Sequence, residues 1–358
     1  MNNPRIFRAP GRVNLIGGQV DYHEGFVVSM AIDRDVRVRA VPRSDGRVTV
    51  RSSAYEGAVD VAADGGDDPR ATQPSWGRAV AGVARVLAEL GRPAVGVDLE
   101  VSSDVPVGAG LSSSAAFEVA CALALCDVAG FELAPAELAD AAQRAEHIAT
   151  GVPCGIQDQT ASVRGRAGHA LFLDCRSLHL RHIRLPDATR VIVVHSGIAR
   201  TLEGSPYAQR RAESEAVAEQ LGLRVLRDAT LDQVRDIPRG RHAVTEMARV
   251  QAFARALEDG DAAALGPLML ASHASSRDDM EVSTPELDAL VACLVDAGAY
   301  GARLTGAGFG GCVVALAPAD AAEEVAERAS VDYRGRTGRE PTAWIVRAAD
   351  GGGMVGES

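Results

Sequence analysis

The sequence predicts an α+β fold built as two lobes. Three observations support this. A length of 358 residues suits two domains of ~100–200 residues each. Strand-like alternation occurs in both halves, and the helical stretches between do not alternate strictly with strands. No segment of about 20–50 residues repeats, so a solenoid is excluded.

The elements follow from periodicity. Val36, Val38 and Ala40 alternate with Arg37 and Arg39, a half-exposed strand by its period of two. Val95, Val97, Leu99 and Val101 repeat that pattern. Between them Trp76, Val80, Val83, Leu87 and Leu90 form a helical stripe that stops at Gly91. A second helix is expected from Ser112–Ser114 to Gly130, and a third from Pro135 to about Ala149. Val191–Val194 reads as a buried strand, and an Arg/Glu-rich helix should run from about Pro206 to Leu221. Thr230 with Gln233 resembles a capping box, and Thr284-Pro285 an N-cap with proline at the first helical position. Strands are expected at 301–305, 312–317 and 342–347, and a helix at 320–330. The lobe boundary is placed so that residues 1–187 form the first domain and 188–358 the second.

Composition narrows the function. All 37 basic residues are arginine, which excludes a Schiff-base lysine and the lysine of a Walker A loop. Aromatics are only 4% of the chain, so the core must rest on Ala, Val and Leu. A net charge of −11 without a basic tail argues against nucleic acid as a partner. The six cysteines are scattered without a Cys-x-x-Cys pair, and the first residues lack the apolar core of a signal peptide. Free thiols and a cytoplasmic location are expected, with no membrane span. Oligomeric state is not legible.

The most informative stretch runs from Asp104 to Ala116. A strand ends, Gly108 and Gly110 let the backbone approach a ligand, and Ser112, Ser113 and Ser114 lead into a helix. Free N–H groups and the positive end of the helix dipole then face the same spot, which suits phosphate. A Gly-rich turn with a serine cap would read the same in isolation. It is not isolated: Gly11-Arg12-Val13-Asn14-Leu15-Ile16-Gly17-Gly18-Gln19-Val20-Asp21-Tyr22 lies upstream and Leu304-Thr305-Gly306-Ala307-Gly308-Phe309-Gly310-Gly311-Cys312 downstream. The last segment formally matches G-x-G-x-x-G, but Cys312–Leu316 reads as a strand where a dinucleotide site needs a helix.

Together the three segments resemble the signature motifs of the GHMP kinases, and of the galactokinase branch in particular. Smaller matches span nearly the whole chain: Ala145-Glu146-His147, Cys154-Gly155-Ile156-Gln157-Asp158-Gln159, Ser205-Pro206-Tyr207, and Ser283 to Asp288. The resemblance implies the two-lobed GHMP kinase fold with the active site in the cleft between lobes. It also implies phosphoryl transfer from ATP, with Mg²⁺, to the anomeric hydroxyl of a sugar. Gly108, Gly110, Ser112, Ser113 and Ser114 would hold the triphosphate. Glu146, with a loop hydroxyl such as Ser113, would hold the metal, an oxygen set that Mg²⁺ prefers. Asp158 takes the place of the family's catalytic aspartate and Arg12 that of the cation between aspartate and phosphate. Whether that aspartate removes the proton or only orients the nucleophile stays open. Asp21, Gly155 and Tyr207 match sugar-contacting positions.

One departure bears on the substrate. Where a galactokinase reads Gly-Glu-His-x-Asp-Tyr, this chain has Gly17-Gly18-Gln19-Val20-Asp21-Tyr22, so the pair facing the C6 hydroxyl in the family is lost. An opened pocket would favour a sugar extended at C6, a heptose or octose with or without a distal phosphate. His23 is then a possible cationic partner. The octose 1-kinase of lincosamide antibiotic biosynthesis, a galactokinase relative, would need such a pocket. The alternative is an ordinary galactokinase, with Gln19 among the replacement contacts. A non-catalytic sugar and ATP sensor is the remote alternative.

Overall fold

The computed structural model describes residues 4–106, 108–198 and 206–356; Val107 of the glycine loop and Ser205 lie outside them. Among the described residues twelve strands form two sheets, accompanied by ten α-helices.

The first part of the chain contains β1 (Arg5–Ile16), β2 (Phe26–Arg43), β3 (Arg47–Ser52), β4 (Ala58–Ala62), α1 (Arg78–Glu89) and β5 (Gly96–Ser103). Next come α2 (Ser113–Val128), α3 (Pro135–Thr150), α4 (Gln157–Arg164), β6 (His169–Asp174) and β7 (Leu180–Arg184). The second part opens with β8 (Thr189–His195), α5 (Tyr207–Gln220), α6 (Leu231–Val234), α7 (Pro238–Glu258), α8 (Ala262–Asp278) and α9 (Pro285–Asp296). It closes with β9 (Gly301–Leu304), β10 (Cys312–Pro318), α10 (Ala322–Thr337), β11 (Thr342–Val346) and β12 (Gly353–Met354).

The eight-stranded sheet has the order β12-β1-β2-β5-β3-β4, with β6 pairing to the start of β2 and β7 to β6. Only the β3–β5 pair among these is parallel. β2 runs 18 residues, long enough to pair with β6 near its start and β5 near its end. The smaller sheet, β11-β8-β10-β9, is antiparallel throughout. The chain returns to the first sheet at its far end: β12 pairs with β1 through Phe7↔Met354, and Ile32 bridges Ala348.

Small aliphatic residues fill the core, as the low aromatic content requires. Val13, Leu15, Met30, Val38 and Leu99 of the large sheet pack against Val83 and Leu87 of α1 and Val119 and Leu125 of α2. α9 and α10 cover the small sheet through Leu290, Leu294, Val325 and the fully buried Tyr333. The predicted helices at 112–130, 135–149 and 206–221 form within about two residues of their expected ends. Both predicted caps form: the Thr230 amide donates to Gln233 Oε1 at 2.8 Å, and Thr284 Oγ1 accepts from the Leu287 amide at 3.3 Å. α10 continues to Thr337, seven residues past its predicted end, because Val325, Ala326, Ala329 and Tyr333 keep one face buried. No disulfide joins the six cysteines, and no helix among the described residues is long and apolar enough to cross a membrane.

Candidate active site

β1 brings the first functional side chains inward. Its register against β2 shifts between Pro10 and Arg12, so the strand bulges at Gly11. A Cβ at Gly11 would lie 2.7 Å from the Leu111 carbonyl oxygen, and the Arg12 amide donates to that same oxygen at 3.0 Å. Glycine is therefore needed for the strand to touch the serine loop. Arg12 and Asn14, two residues apart on a strand, then point to the same side.

Arg12 binds Asp158 through two parallel hydrogen bonds, Nε to Oδ1 at 2.7 Å and Nη2 to Oδ2 at 2.6 Å. Its remaining nitrogen, Nη1, donates to the Gly110 carbonyl at 2.8 Å, tying the carboxylate to the glycine loop. Asp158 sits in the first turn of α4, and Ser112 donates its hydroxyl to Oδ2. Ser112 thus faces Asp158 and does not cap α2, which begins without a side-chain cap. Its φ of 57° and the left-handed Gly108 and Gly110 shape the loop that leads into α2, whose first N–H groups have no acceptor within the helix.

Behind the loop lies a buried acidic group. Glu146 of α3 accepts from Gln159 Nε2 at 2.6 Å, Cys154 Sγ at 3.2 Å and Ser114 Oγ at 3.4 Å. Burial, reinforced by the charge of Asp158, raises its carboxyl above the ordinary range. Glu118 of α2 is buried beside it, with Oε2 unpartnered; burial first and Glu146 second push it well upward. It is Ser114, rather than Ser113, whose hydroxyl reaches Glu146. Hard oxygens with unmet capacity fit a magnesium ion, which takes one or two carboxylates and completes its shell with phosphate oxygens.

Two hollows are lined by residues of the serine loop or by residues bonded to it. One is lined by Arg12, Gly18, Gln19, Asp21, Gly155, Asp158 and Tyr207, together with Asn14, Gln157, Gly306 and Ala307. All the predicted sugar-side residues therefore converge. Asp21 and Gly155 are in close approach, since a Cβ at Gly155 would lie 1.8 Å from Asp21 Oδ2. Desolvation, with Asp158 adding repulsion, raises the Asp21 carboxyl to about 6. Tyr207 packs edge-on to Tyr22, with ring centroids 6.4 Å apart. The second hollow holds Ser113, Ser114 and Glu118 at one end and Tyr55, Trp76 and Phe117 in its walls. Tyr55 and Trp76 stack at 5.8 Å with their planes 15° apart, forming a flat apolar surface next to the serine loop.

Two expectations about the altered first motif need correction, those for Gly18 and His23, while Gln19 lines the hollow. Gly18 does not open a void: an added Cβ would stand 2.6 Å from Nη2 of the fully buried Arg303. Both ends of the Gln19 amide are engaged, Nε2 with the Ala307 carbonyl at 3.2 Å and Oε1 with the Tyr22 hydroxyl at 3.1 Å. It fastens the first motif to the third. His23 is buried against Ser214 Oγ at 2.7 Å, and desolvation lowers it to about 4, so it offers no cation to a distal phosphate.

Comparison with known proteins decides the family. Residues 1–42 match the galactokinase galactose-binding signature, 78–166 the GHMP kinases N terminal domain and 253–334 the GHMP kinases C terminal family. A galactokinase of Roseiflexus sp. (strain RS-1) is 44% identical over 98% of this chain and 93% of its own length. The chain belongs to the galactokinase branch of the GHMP kinases. A crystal structure of Lactococcus lactis galactokinase complexed with galactose superposes with a TM-score of 0.92 at 30% identity, covering 98% of this chain and 95% of that one. The mevalonate kinase of Methanococcus jannaschii shares the fold at a TM-score of 0.72 and 18% identity, over 98% of this chain and 99% of that one. This galactokinase relative is thus a sugar kinase, and the sensor reading falls. The expected lengthened sugar, and with it the octose kinase of lincosamide biosynthesis, is not supported. Against it stand the match to the galactose-binding signature and the space at Gly18 filled by Arg303.

Sequence reasoning passed over several groups in this galactokinase-like site. In the sequence Trp76 stands out only as the start of a helical stripe, and Phe117 and Glu118 only as part of a helix. Asn14 carried a signal: it is the one amide in the apolar run from Val13 to Ile16. Such a residue in a buried strand needs a partner.

Proposed function

We propose that this kinase transfers the γ-phosphoryl group of MgATP to the anomeric hydroxyl of galactose. The observation that carries the reading is the Arg12–Asp158 pair, set between the glycine loop and a hollow that also contains Asp21 and Gly155. Both named galactokinase relatives support the choice of galactose.

In this reading the sugar lies against Asp21, Gly155 and Tyr207 with its anomeric hydroxyl toward Asp158. Asp158 accepts a hydrogen bond from that hydroxyl and aims its lone pair at phosphorus. Arg12 holds the carboxylate in one orientation and places positive charge beside the transferred group. Gly108, Gly110, Ser113, Ser114 and the free N–H groups at the start of α2 cradle the triphosphate, and Ser112 joins them on leaving Asp158. The adenine fits the hollow walled by Tyr55, Trp76 and Phe117. Magnesium, held by Glu146 and a loop hydroxyl of Ser113 or Ser114, would neutralise phosphate charge as it shifts to the leaving oxygen. The lobe boundary at 187/188 is kept, supported by the division between the two sheets apart from β12.

Release of ADP with galactose, glucose and galactose derivatives enlarged at C6, with phosphorus NMR of the product, tests the proposal. Galactose should give the highest kcat/KM and a phosphate on C1. A preference for an enlarged sugar, or a phosphate elsewhere, would overturn it.

A further inference from the structure

The amide of Gln157 has a direction fixed by its buried neighbours. Arg303 is wholly buried, and a guanidinium can only donate; its Nη1 gives a hydrogen bond to Asn14 Oδ1 at 2.7 Å. Asn14 must therefore present Nδ2 on its other side, where it donates to Gln157 Oε1 at 2.9 Å. Gln157 in turn must direct Nε2 away from Asn14. That nitrogen has no protein partner, although the residue is only 5% exposed. A buried donor left unmet is costly and uncommon. Gln157 also lines the sugar hollow, in the same turn of α4 as Asp158.

We propose that Gln157 is a specificity-determining residue whose Nε2 donates to an oxygen of the sugar acceptor flanking the anomeric carbon, the C2 hydroxyl or the ring oxygen. This rests on the sugar 1-kinase reading. The place follows from adjacency: the neighbouring Asp158 addresses C1, so its neighbour on the same turn meets what lies next to C1. The relay from Arg303 through Asn14 settles in advance which end of the amide the sugar encounters. An acceptor oxygen is favoured there, and a second donor is rejected.

The test uses Gln157→Met, which keeps the length and loses the amide, and Gln157→Glu, which keeps an acceptor for Asn14 but replaces the donor by a carboxylate oxygen and adds a charge beside Asp158. Wild-type turnover of galactose is measured first; if there is none, the sugar 1-kinase reading fails and not this one. With turnover present, both variants should raise KM for galactose about tenfold while KM for ATP stays within about threefold, and for Gln157→Met kcat does so too. With 2-deoxygalactose, loss of the effect identifies the C2 hydroxyl as partner, and its persistence the ring oxygen. An unchanged KM for galactose, or a fall in kcat alone through a displaced Asp158, overturns the proposal. If Gln157→Met does not fold, Gln157→Glu decides by KM for galactose alone.

Discussion

Arg12 and Asp158, 146 residues apart in the chain, face each other as a planar fork against a carboxylate, with both nitrogen–oxygen distances at or below 2.7 Å. The arrangement keeps the carboxylate from rotating, so its acceptor direction toward the hollow is set before a sugar arrives. Asp158→Asn keeps the shape, but an amide must turn an NH₂ group toward Arg12 or toward the substrate. We expect kcat to fall by at least about a thousandfold, with nucleotide affinity within a few-fold of wild type. Single-turnover assays with calorimetric titration of ATP check this. Retention of a tenth of the activity would remove Asp158 from its proposed role.

Glu146 gathers three donors that a metal ion would displace or reorient. Glu146→Gln should raise the Mg²⁺ concentration for half-maximal rate by about tenfold or more, and leave KM for the sugar near wild type. Rates measured across a magnesium series at saturating ATP read the effect. An unchanged metal dependence would transfer the role to Glu118 or to the serines.

If Asp21 binds the sugar as proposed, its raised carboxyl gives binding a pH dependence with a definite sign. Above about 6 the group is a carboxylate able to accept from sugar hydroxyls; below that value it binds a proton and loses acceptor capacity. KM for galactose should therefore rise as pH falls through about 6, and Asp21→Asn should weaken binding and flatten the profile. Initial rates between pH 5 and pH 8 suffice; a flat wild-type profile would show that Asp21 is not the group being read.

Glu246 keeps Arg303 tolerable in the interior. It accepts from the Gly17 amide at 2.9 Å and Ser272 Oγ at 2.5 Å, pairs with Arg249 at 2.7 Å, and lies 4.0 Å from Arg303 Nη2. The charges of Arg249 and Arg303 outweigh its burial and lower its carboxyl to about 2. A depressed carboxyl stabilises the fold fully above the ordinary glutamate range near 4.5, and that contribution is lost as pH falls toward 2. Glu246→Gln should cost about 3–5 kcal/mol at pH 7, because a buried cation loses its partner. The variant should also show a shallower loss of stability between pH 4.5 and 2. Urea unfolding across that range measures both.

The parts of the site that announced themselves in the sequence are those where backbone needs special residues. Gly108, Gly110 and the serines after them declare a tight loop before a helix, and Gly306–Gly311 another, because few residue types allow such turns. Helix ends were equally plain at Pro135 and Thr284, where local chemistry sets the boundary. What could not be read is contact between distant segments. Nothing near Gly18 tells that Arg303, 285 positions later, takes up the space beside it. The missing glutamate side chain therefore suggested an opening where the fold has a guanidinium. Gln157 was equally opaque: the direction of its amide depends on Asn14, and that of Asn14 on Arg303.

The pairing of β12 with β1 has a consequence for how the chain is made. β1 carries Arg12 and Asn14, yet the strand on its outer edge comes from residues 353 and 354, made long after it. Until those residues emerge, the edge at Phe7 and Arg8 stays open, with unpaired backbone groups able to pair with another nascent chain. Closure is a contact of very long sequence separation and so a late step. Replacing Gly353 by proline, which cannot donate to Arg8, should therefore lower the yield of soluble protein, even though that strand touches none of the chemistry.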